Sequence, residues 1–383
     1  MFRYLYTFVL AVAYLAAVPF LLPLGFKKRY KRSLWARFFP VFNERFKEPS
    51  IHFHACSLGE TKALKPLIER FERINLSVIT QTGYEAAKEY KNAEVRYLPF
   101  EIFLYRWLIP QKALVVMEAE LWYLLFFLSK RKGAVTFLIN ARISDRSFSS
   151  YKRFSFLYRR VFENVDYVFA QSELDAARLR ELGAKRVEVV GNIKLLSKPS
   201  VKGLYEKPAR KVLVAASTHD PEEEMILDAW LKSGTDYMLV VVPRHPERFE
   251  EVDLLLKETA ERESLKYCKI SESGALKADI VLVDKMGVLN EIYSVADRVI
   301  LGGSFVPVGG HNPLEPAFFK VPIISGKEIF NQKESYSYVK NIYLIEPRRL
   351  SEYIKAELVP AEIRAEANIG PLVDRIEDVV YGR

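Results

Sequence analysis

The chain has 383 residues, half of them hydrophobic and 13% aromatic, with a formal charge of +9. That length is long for one core and sets an expectation of two domains, while the basic balance favours an acidic partner: nucleic acid, anionic lipid or a phosphorylated substrate. Cys56 and Cys268 have no CxxC partner, which argues against a disulfide scaffold or zinc knuckle and fits a reducing compartment.

The first element is an uncharged run from Tyr4 to Phe26, followed directly by the basic cluster Lys27–Arg32. A bilayer needs roughly 20 apolar residues, so the run is long enough to cross one. The basic flank then keeps the rest of the chain on the cytoplasmic side. A cleaved signal peptide would have a shorter apolar region and its basic block on the other side. Pro19 and Pro23 leave a helix that only dips into the membrane as a second reading. Residues 1–32 are therefore expected to be an anchor with a basic flank.

Short apolar runs then alternate with helical patterns, as in a parallel α/β architecture. The predicted strands are 51–55, 76–80, 113–117, 134–140, 166–170 and 187–190, with a helix predicted over "ETKALKPLIERFERI" after the first. A polar, proline-bearing linker spans 197–208. A second strand series follows at 211–217, 237–243, 279–284, 298–304 and 321–325, and the segment from Pro347 reads as charged and helical. Two Rossmann-like domains, 33–200 and 201–383, are expected, with packing of the last helix back on the first domain as an alternative. Their mutual cleft is the expected site, because such sheets bind ligands beyond the carboxyl ends of their strands. All five histidines lie in or just after predicted strands.

In "HACSLGE", His54 to Glu60, a strand ends, Gly59 allows a tight turn, and Glu60 falls at a helix start beside Ser57. A carboxylate presented there can act as a general base. The plainer account is that acids favour first helical turns, where the dipole would lower the Glu60 pKa unless desolvation offsets it. In "ALVVMEAELW", Glu118 and Glu120 follow a strand on the same side; they suit a cation or an amine, or are a solvated strand end. No DxD triplet occurs, and His52 and His54 share a strand face without a third ligand nearby, so no metal site is expected.

"ASTHDPEEE" offers Ser217 and Thr218 as helix caps before three glutamates, and Ser217, Thr218 and His219 can also meet a ligand at the strand end. "VPRHPERF" holds Arg244 and His245 between two prolines, a stiff presentation suited to a phosphate or nucleobase, or simply a surface arginine. In "GGSFVPVGGHNPLEPA", Gly302 to Ala317, Asn312, Pro313 and Glu315 read as N-cap, first helical residue and capping-box partner. The glycines exceed what capping needs. They allow backbone N–H groups to approach an anion at the helix start, although neither GxGxxG nor a P-loop is present.

These motifs together resemble the 3-deoxy-D-manno-octulosonic acid (Kdo) transferases that decorate the lipid A precursor. "HACSLGE", "VMEAELW", "INARISDRSF" and "AQSELDAARLRELGA" with "VVGNIK" stand in that family's order, followed by "ASTH", "VPRHPERF", "MGVLNEIY" and "GGSFVPVGGHNPLEPA". The departures are Cys56 and Leu58, a short "ITQTGYEAA", and Phe100-Glu101 where an aromatic–aspartate pair is common.

The resemblance implies an α/β GT-B fold, two Rossmann-like domains facing across a cleft, with an N-terminal anchor at the cytoplasmic face of the inner membrane. It implies inverting transfer of Kdo from CMP-Kdo to a hydroxyl of the lipid A precursor, a phosphorylated, acylated glucosamine disaccharide. No cofactor, metal or nucleic acid is implied, and membrane lipid is an expected partner. Glu60 becomes the general base, with Ser57, Gly59, Glu118, Glu120, Arg142 and Lys194 around the acceptor or transition state. The CMP site falls on Ser217, Thr218, His219, Arg244, His245, the Met286-Gly287 turn, Ser304, Gly309, Gly310, His311, Asn312 and Glu315. Glu315 would hold the ribose hydroxyls and Lys194 would sit near the leaving phosphate. Two rival readings are a GT-B enzyme acting on another sugar nucleotide, an epimerase included, and a membrane-tethered nucleotide- or lipid-binding protein.

Overall fold

A computed structural model describes residues 1–27, 30–39, 43–196, 199, 201–364 and 367–382. Lys28 and Arg29 of the basic cluster, Ser197, Lys198 and Ser200 of the linker, and the Arg146 side chain of "INARISDRSF" lie outside the described residues. The chain forms two compact units, Met1–Ser197 with Glu366–Arg383, and Lys198–Ala365.

Among the described residues, the first unit has a seven-stranded sheet. Its strands are β1 (Ile51–Ala55), β2 (Ile74–Val78), β3 (Ala93–Tyr97), β4 (Ala113–Met117), β5 (Val135–Ala141), β6 (Tyr167–Ala170) and β7 (Val187–Val189). They lie in the order β3-β2-β1-β4-β5-β6-β7, every neighbour parallel. β1, β2 and β4 are buried along their whole length, which is why they read as unbroken runs rather than alternating ones. One face packs Phe53, Leu76, Val115 and Phe137 against Leu372, Val373 and Ile376 of the final helix, Gly370–Tyr381. The other packs Leu114, Val116 and Leu138 against Phe126 and Phe162.

The second unit repeats the plan with β8 (Val212–Thr218), β9 (Met238–Pro243), β10 (Tyr267–Lys269), β11 (Ile280–Leu282), β12 (Arg298–Leu301), β13 (Ile323–Ser325) and a last strand Ile342–Leu344. The order is β10-β11-β9-β8-β12-β13 and then Ile342–Leu344, again all parallel. In each sheet the chain fills one side of its first strand and then crosses to the other; in the second, β11 is inserted between β9 and the edge strand β10 before the crossing. The reversal falls between β1 and β4 in the first unit and between β8 and β12 in the second. Ligand sites in open parallel sheets form at such switch points.

Helix α1 (Phe2–Gly25) carries Pro19 and Pro23 inside it and is long and apolar enough to cross a membrane. Phe2, Tyr6 and Leu10, at helical spacing, pack on the first unit's core. The Tyr6 hydroxyl donates to Glu101 Oε2 at 2.7 Å and that of Tyr14 to the Phe38 carbonyl at 2.7 Å. Tyr4, Leu5, Phe8, Val12, Leu15 and Phe20 stay exposed. Helix α2 (Lys31–Phe38) follows and delivers Arg37 to the top of the sheet. The single helix predicted after β1 is instead α3 (Leu58–Ala63) and a second short helix, Lys65–Ile68, because Pro66 starts a new turn.

Candidate functional site

Each sheet gathers polar residues at its switch point. In the first unit β1 ends at Ala55, and Ser57 caps α3, its hydroxyl accepting from Glu60 N at 3.3 Å. The Glu60 carboxylate turns back over this start, accepting from Cys56 N at 2.8 Å and from the Ser57 hydroxyl at 2.8 Å. That is a capping box in form. Only 7% of Glu60 is exposed, and burial pushes its carboxyl above the usual range against those two hydrogen bonds, with Glu118 and Glu120 adding to the rise. The dipole effect expected from sequence is therefore outweighed by desolvation. Gly59 does not make a turn; it is helical, and a Cβ there would approach only Ser57 Oγ, at 4.0 Å. Its missing side chain leaves space beside Glu60.

β4 brings Glu118 and Glu120 to the same end. Glu118 is left-handed (φ 55°), a conformation a branched-free acid adopts only at a cost of about 1–2 kcal/mol. Its carboxylate pairs with Lys194 at 2.5 Å, while Glu120 accepts from Trp122 Nε1 at 2.7 Å. Arg142 is half-buried directly after β5. Cys56 lies against Glu120 and Glu60, and burial first, then these carboxylates, push its thiol up to about 12. His52 and His54 share the Ser77 hydroxyl at 2.7 and 2.8 Å inside the sheet layer, and burial holds both near 3, neutral.

In the second unit β8 ends in a bulge at Ser217, which is also left-handed (φ 55°). The Thr218 hydroxyl donates to Glu223 Oε1 at 2.7 Å, and Arg248 pairs with the same oxygen at 2.6 Å. His219 Nε2 lies 2.9 Å from His311 Nε2, and the His219 ring meets that of His245 edge-on, centroids 5.2 Å apart. Arg244 is exposed at the end of β9, its N–H held by the Thr218 carbonyl at 3.0 Å. Gly303 (φ +65°) lies under the rings: a Cβ would come within 2.8 Å of His311 Cδ2. The two glycine pairs are tied together by Gly310 N–H to Gly303 O at 2.7 Å, and Gly309 packs on Asn331. Met286 is exposed beside Gly287 (φ +81°) in an open turn.

The first glycine pair does not offer free amides to a ligand. Glu222 is fully buried and accepts from the N–H groups of His219 (3.0 Å), Gly303 (2.6 Å), Ser304 (3.1 Å) and Phe305 (3.0 Å). From sequence Glu222 reads as a first-turn acid; the His219 amide is local, but the Gly303, Ser304 and Phe305 amides lie more than 80 positions on, beyond any local pattern. The Ser304 hydroxyl is likewise engaged, donating to Leu301 O at 2.6 Å and accepting from Gly326 N at 2.8 Å. The expected helix after "GGHN" spans only Leu314–Phe318, starting a residue later than predicted. Its N-cap is Pro313 and not Asn312, which accepts from Leu314 N at 3.1 Å from the position before; five residues also support little dipole, which weakens the argument for an anion at this helix start. Glu315 is half-buried on this helix. Among the described residues no three His, Cys, Asp or Glu side chains are grouped for a metal ion.

Residues 31–197 match the family model described as 3-Deoxy-D-manno-octulosonic-acid transferase (kdotransferase). A 3-deoxy-D-manno-octulosonic acid transferase from Haemophilus influenzae is 33% identical over 366 residues, covering 88% of this chain and 84% of that protein. The chain belongs to the Kdo transferase family. A bifunctional glycosyltransferase/methyltransferase from Fusobacterium nucleatum is 36% identical over 329 residues, covering 79% of this chain, which spans about half (51%) of that relative's length. The solved UDP-GlcNAc 2-epimerase from Neisseria meningitidis, bound to UDP-GlcNAc, is 11% identical, covers 87% of this chain and all of that one, and has a TM-score of 0.53. That likeness is one of fold, the two-sheet GT-B type. All the first-unit site residues, from Ser57 to Lys194, fall inside the segment matched by the Kdo transferase model.

Proposed function

We propose that this member of the Kdo transferase family moves Kdo from CMP-Kdo to a hydroxyl of the lipid A precursor, with inversion, at the cytoplasmic face of the inner membrane. The observation that carries the reading is Glu60: a desolvated carboxylate with a raised pKa, held by two hydrogen bonds at the carboxyl end of the central strand β1. A carboxylate whose pKa is raised is a stronger base toward a hydroxyl acceptor than an ordinary one. The acceptor oxygen attacks the anomeric carbon of Kdo as its bond to the CMP phosphate breaks. The bonding pair leaves with the phosphate, and the hydroxyl proton passes to Glu60.

CMP is a good leaving group, so what the donor side must supply is stabilisation of charge on the phosphate. Arg244, His219, His245 and His311 are suited to that work, with the Met286-Gly287 turn, Gly309, Gly310 and Asn312 around the nucleotide and Glu315 on the ribose. Ser217, Thr218 and Ser304 act by shaping the strand ends. Lys194, paired with Glu118, supports the reacting centre from the first unit. The apolar outer face of α1 and its basic flank suit attachment to an anionic bilayer.

The test is mass spectrometry of the protein with CMP-Kdo and the lipid A precursor in detergent. The expected product is heavier by Kdo units, and Glu60→Gln should lower turnover by about 10²–10⁴-fold while CMP still binds. An acceptor left unchanged by the wild-type protein would sink the reading.

A further inference from the structure

His219 and His311 approach through the same ring nitrogen, Nε2 to Nε2 at 2.9 Å, with the rings nearly coplanar (9°). Such a contact is a hydrogen bond only if one ring carries its proton on Nε2 and the other on Nδ1. Around the pair stand Arg244 and His245 from the end of β9, Arg248 from the following turn, and Glu222 and Glu223 from helix Glu222–Ser233. Glu222 accepts from four amides, that of His219 among them, and Glu223 Oε1 is held by Thr218 and Arg248 while its Oε2 is buried without a hydrogen-bond partner; Asp220 lies 3.9 Å from Arg248. Among the described residues no carboxylate forms an ion pair with His219, His245 or His311. The strand ends thus gather three imidazoles and an exposed arginine with no carboxylate ion-paired to the rings, and Glu223 is the opposing charge felt by His219. Burial first, then the neighbouring imidazoles and arginines, bring His311 to about 4 and lower His219 from its ordinary value against the pull of Glu223, which favours a neutral pair.

We propose that His219 and His311 share one proton through their Nε2 atoms, and that an anionic ligand in this site draws a second from solvent, so that donor binding is coupled to proton uptake. The added proton goes to the bare Nδ1 of the donating ring. This converts a neutral N–H···N bond into a charge-assisted one and leaves a cation facing the anion. No other bond changes, and the proton comes from bulk water. Gly303 under the rings enforces the arrangement, because any side chain there would displace His311. The site would therefore favour an anionic phosphodiester over an uncharged sugar or nucleoside. The idea rests on the donor assignment made above.

Two measurements test it separately. In the unliganded protein, ¹⁵N NMR of the imidazoles should show one ring as the Nδ1–H tautomer and its partner as Nε2–H; finding both as Nε2–H overturns the shared proton whatever the ligand. Calorimetry with cytidine 5′-(methyl phosphate), a diester with no group titrating near neutrality, run in buffers of different ionisation heat, should show net proton uptake at about pH 7.5. Its affinity should fall by up to tenfold per pH unit above neutrality, as one-proton linkage requires. Both effects should vanish in His219→Gln and His311→Gln. No uptake by the wild type, or uptake unchanged in both variants, overturns the proposal. If the diester does not bind at all, the donor assignment falls and the uptake with it, while the tautomers still report on the pair.

Discussion

Burial raises the Glu60 carboxyl, the Cys56 N–H and Ser57 hydroxyl pull it back, and Glu118 and Glu120 push it up again. The proposal that Glu60 is the general base, which works only when ionised, turns this balance into a direct prediction. Activity should rise with pH through a limb lying above the ordinary carboxylate range. Glu118→Gln removes one like charge, so the same limb should move to lower pH in a profile of kcat/KM against pH; an unmoved limb would show that Glu60 is not the titrating base. Glu60 was legible in the sequence because strand end, cap and acid are adjacent, whereas Glu222 was not. Its role depends on amides that only tertiary structure brings to it. The same limit hid the contact between His219 and His311, though both were recognised as strand-end residues.

Strand legibility followed position in the sheet. Central strands such as β4 and β9, buried on both faces, stood out as apolar runs. In the two seven-stranded sheets the unpredicted strands, β3, β10 and Ile342–Leu344, are all edge strands carrying charged or half-buried residues, and the two-residue strands Val339–Lys340 and Glu362–Ile363 are too short to leave a pattern. Helix α1 was legible from composition alone, but its clamp was not. Tyr6 and the Leu124 N–H both bond the buried Glu101, each at 2.7 Å. Burial pushes the Glu101 carboxyl up to about 7 from an ordinary 4.5. A folded-state pKa above the unfolded one means that this group's stabilisation is complete below about 4.5 and is lost as pH rises through about 7. Glu101→Gln should therefore gain thermal stability relative to wild type between about pH 5 and pH 8, read as the difference between their melting temperatures. Parallel curves would exclude the linkage.

The two units are unequal in how the chain makes them. The second is one continuous stretch, Lys198–Ala365, while the first is completed by residues from both ends of the sequence. Leu372, Val373 and Ile376 of the final helix lie in the first unit's core, almost wholly buried. Each such side chain contributes about 1.5–3 kcal/mol. Residues 201–364 expressed alone should melt cooperatively in calorimetry, whereas a chain ending at residue 364 should lose the first unit's transition or show it at a much lower temperature. An unchanged first transition would mean that the final helix is dispensable. The topology also has a consequence for synthesis. A ribosome delivers the first unit's strands early, yet their covering helix emerges only after the second unit has been made. The half that carries Glu60 must wait, with part of its apolar face open, until Gly370–Tyr381 has been made, a delay during which a chaperone has something to cover.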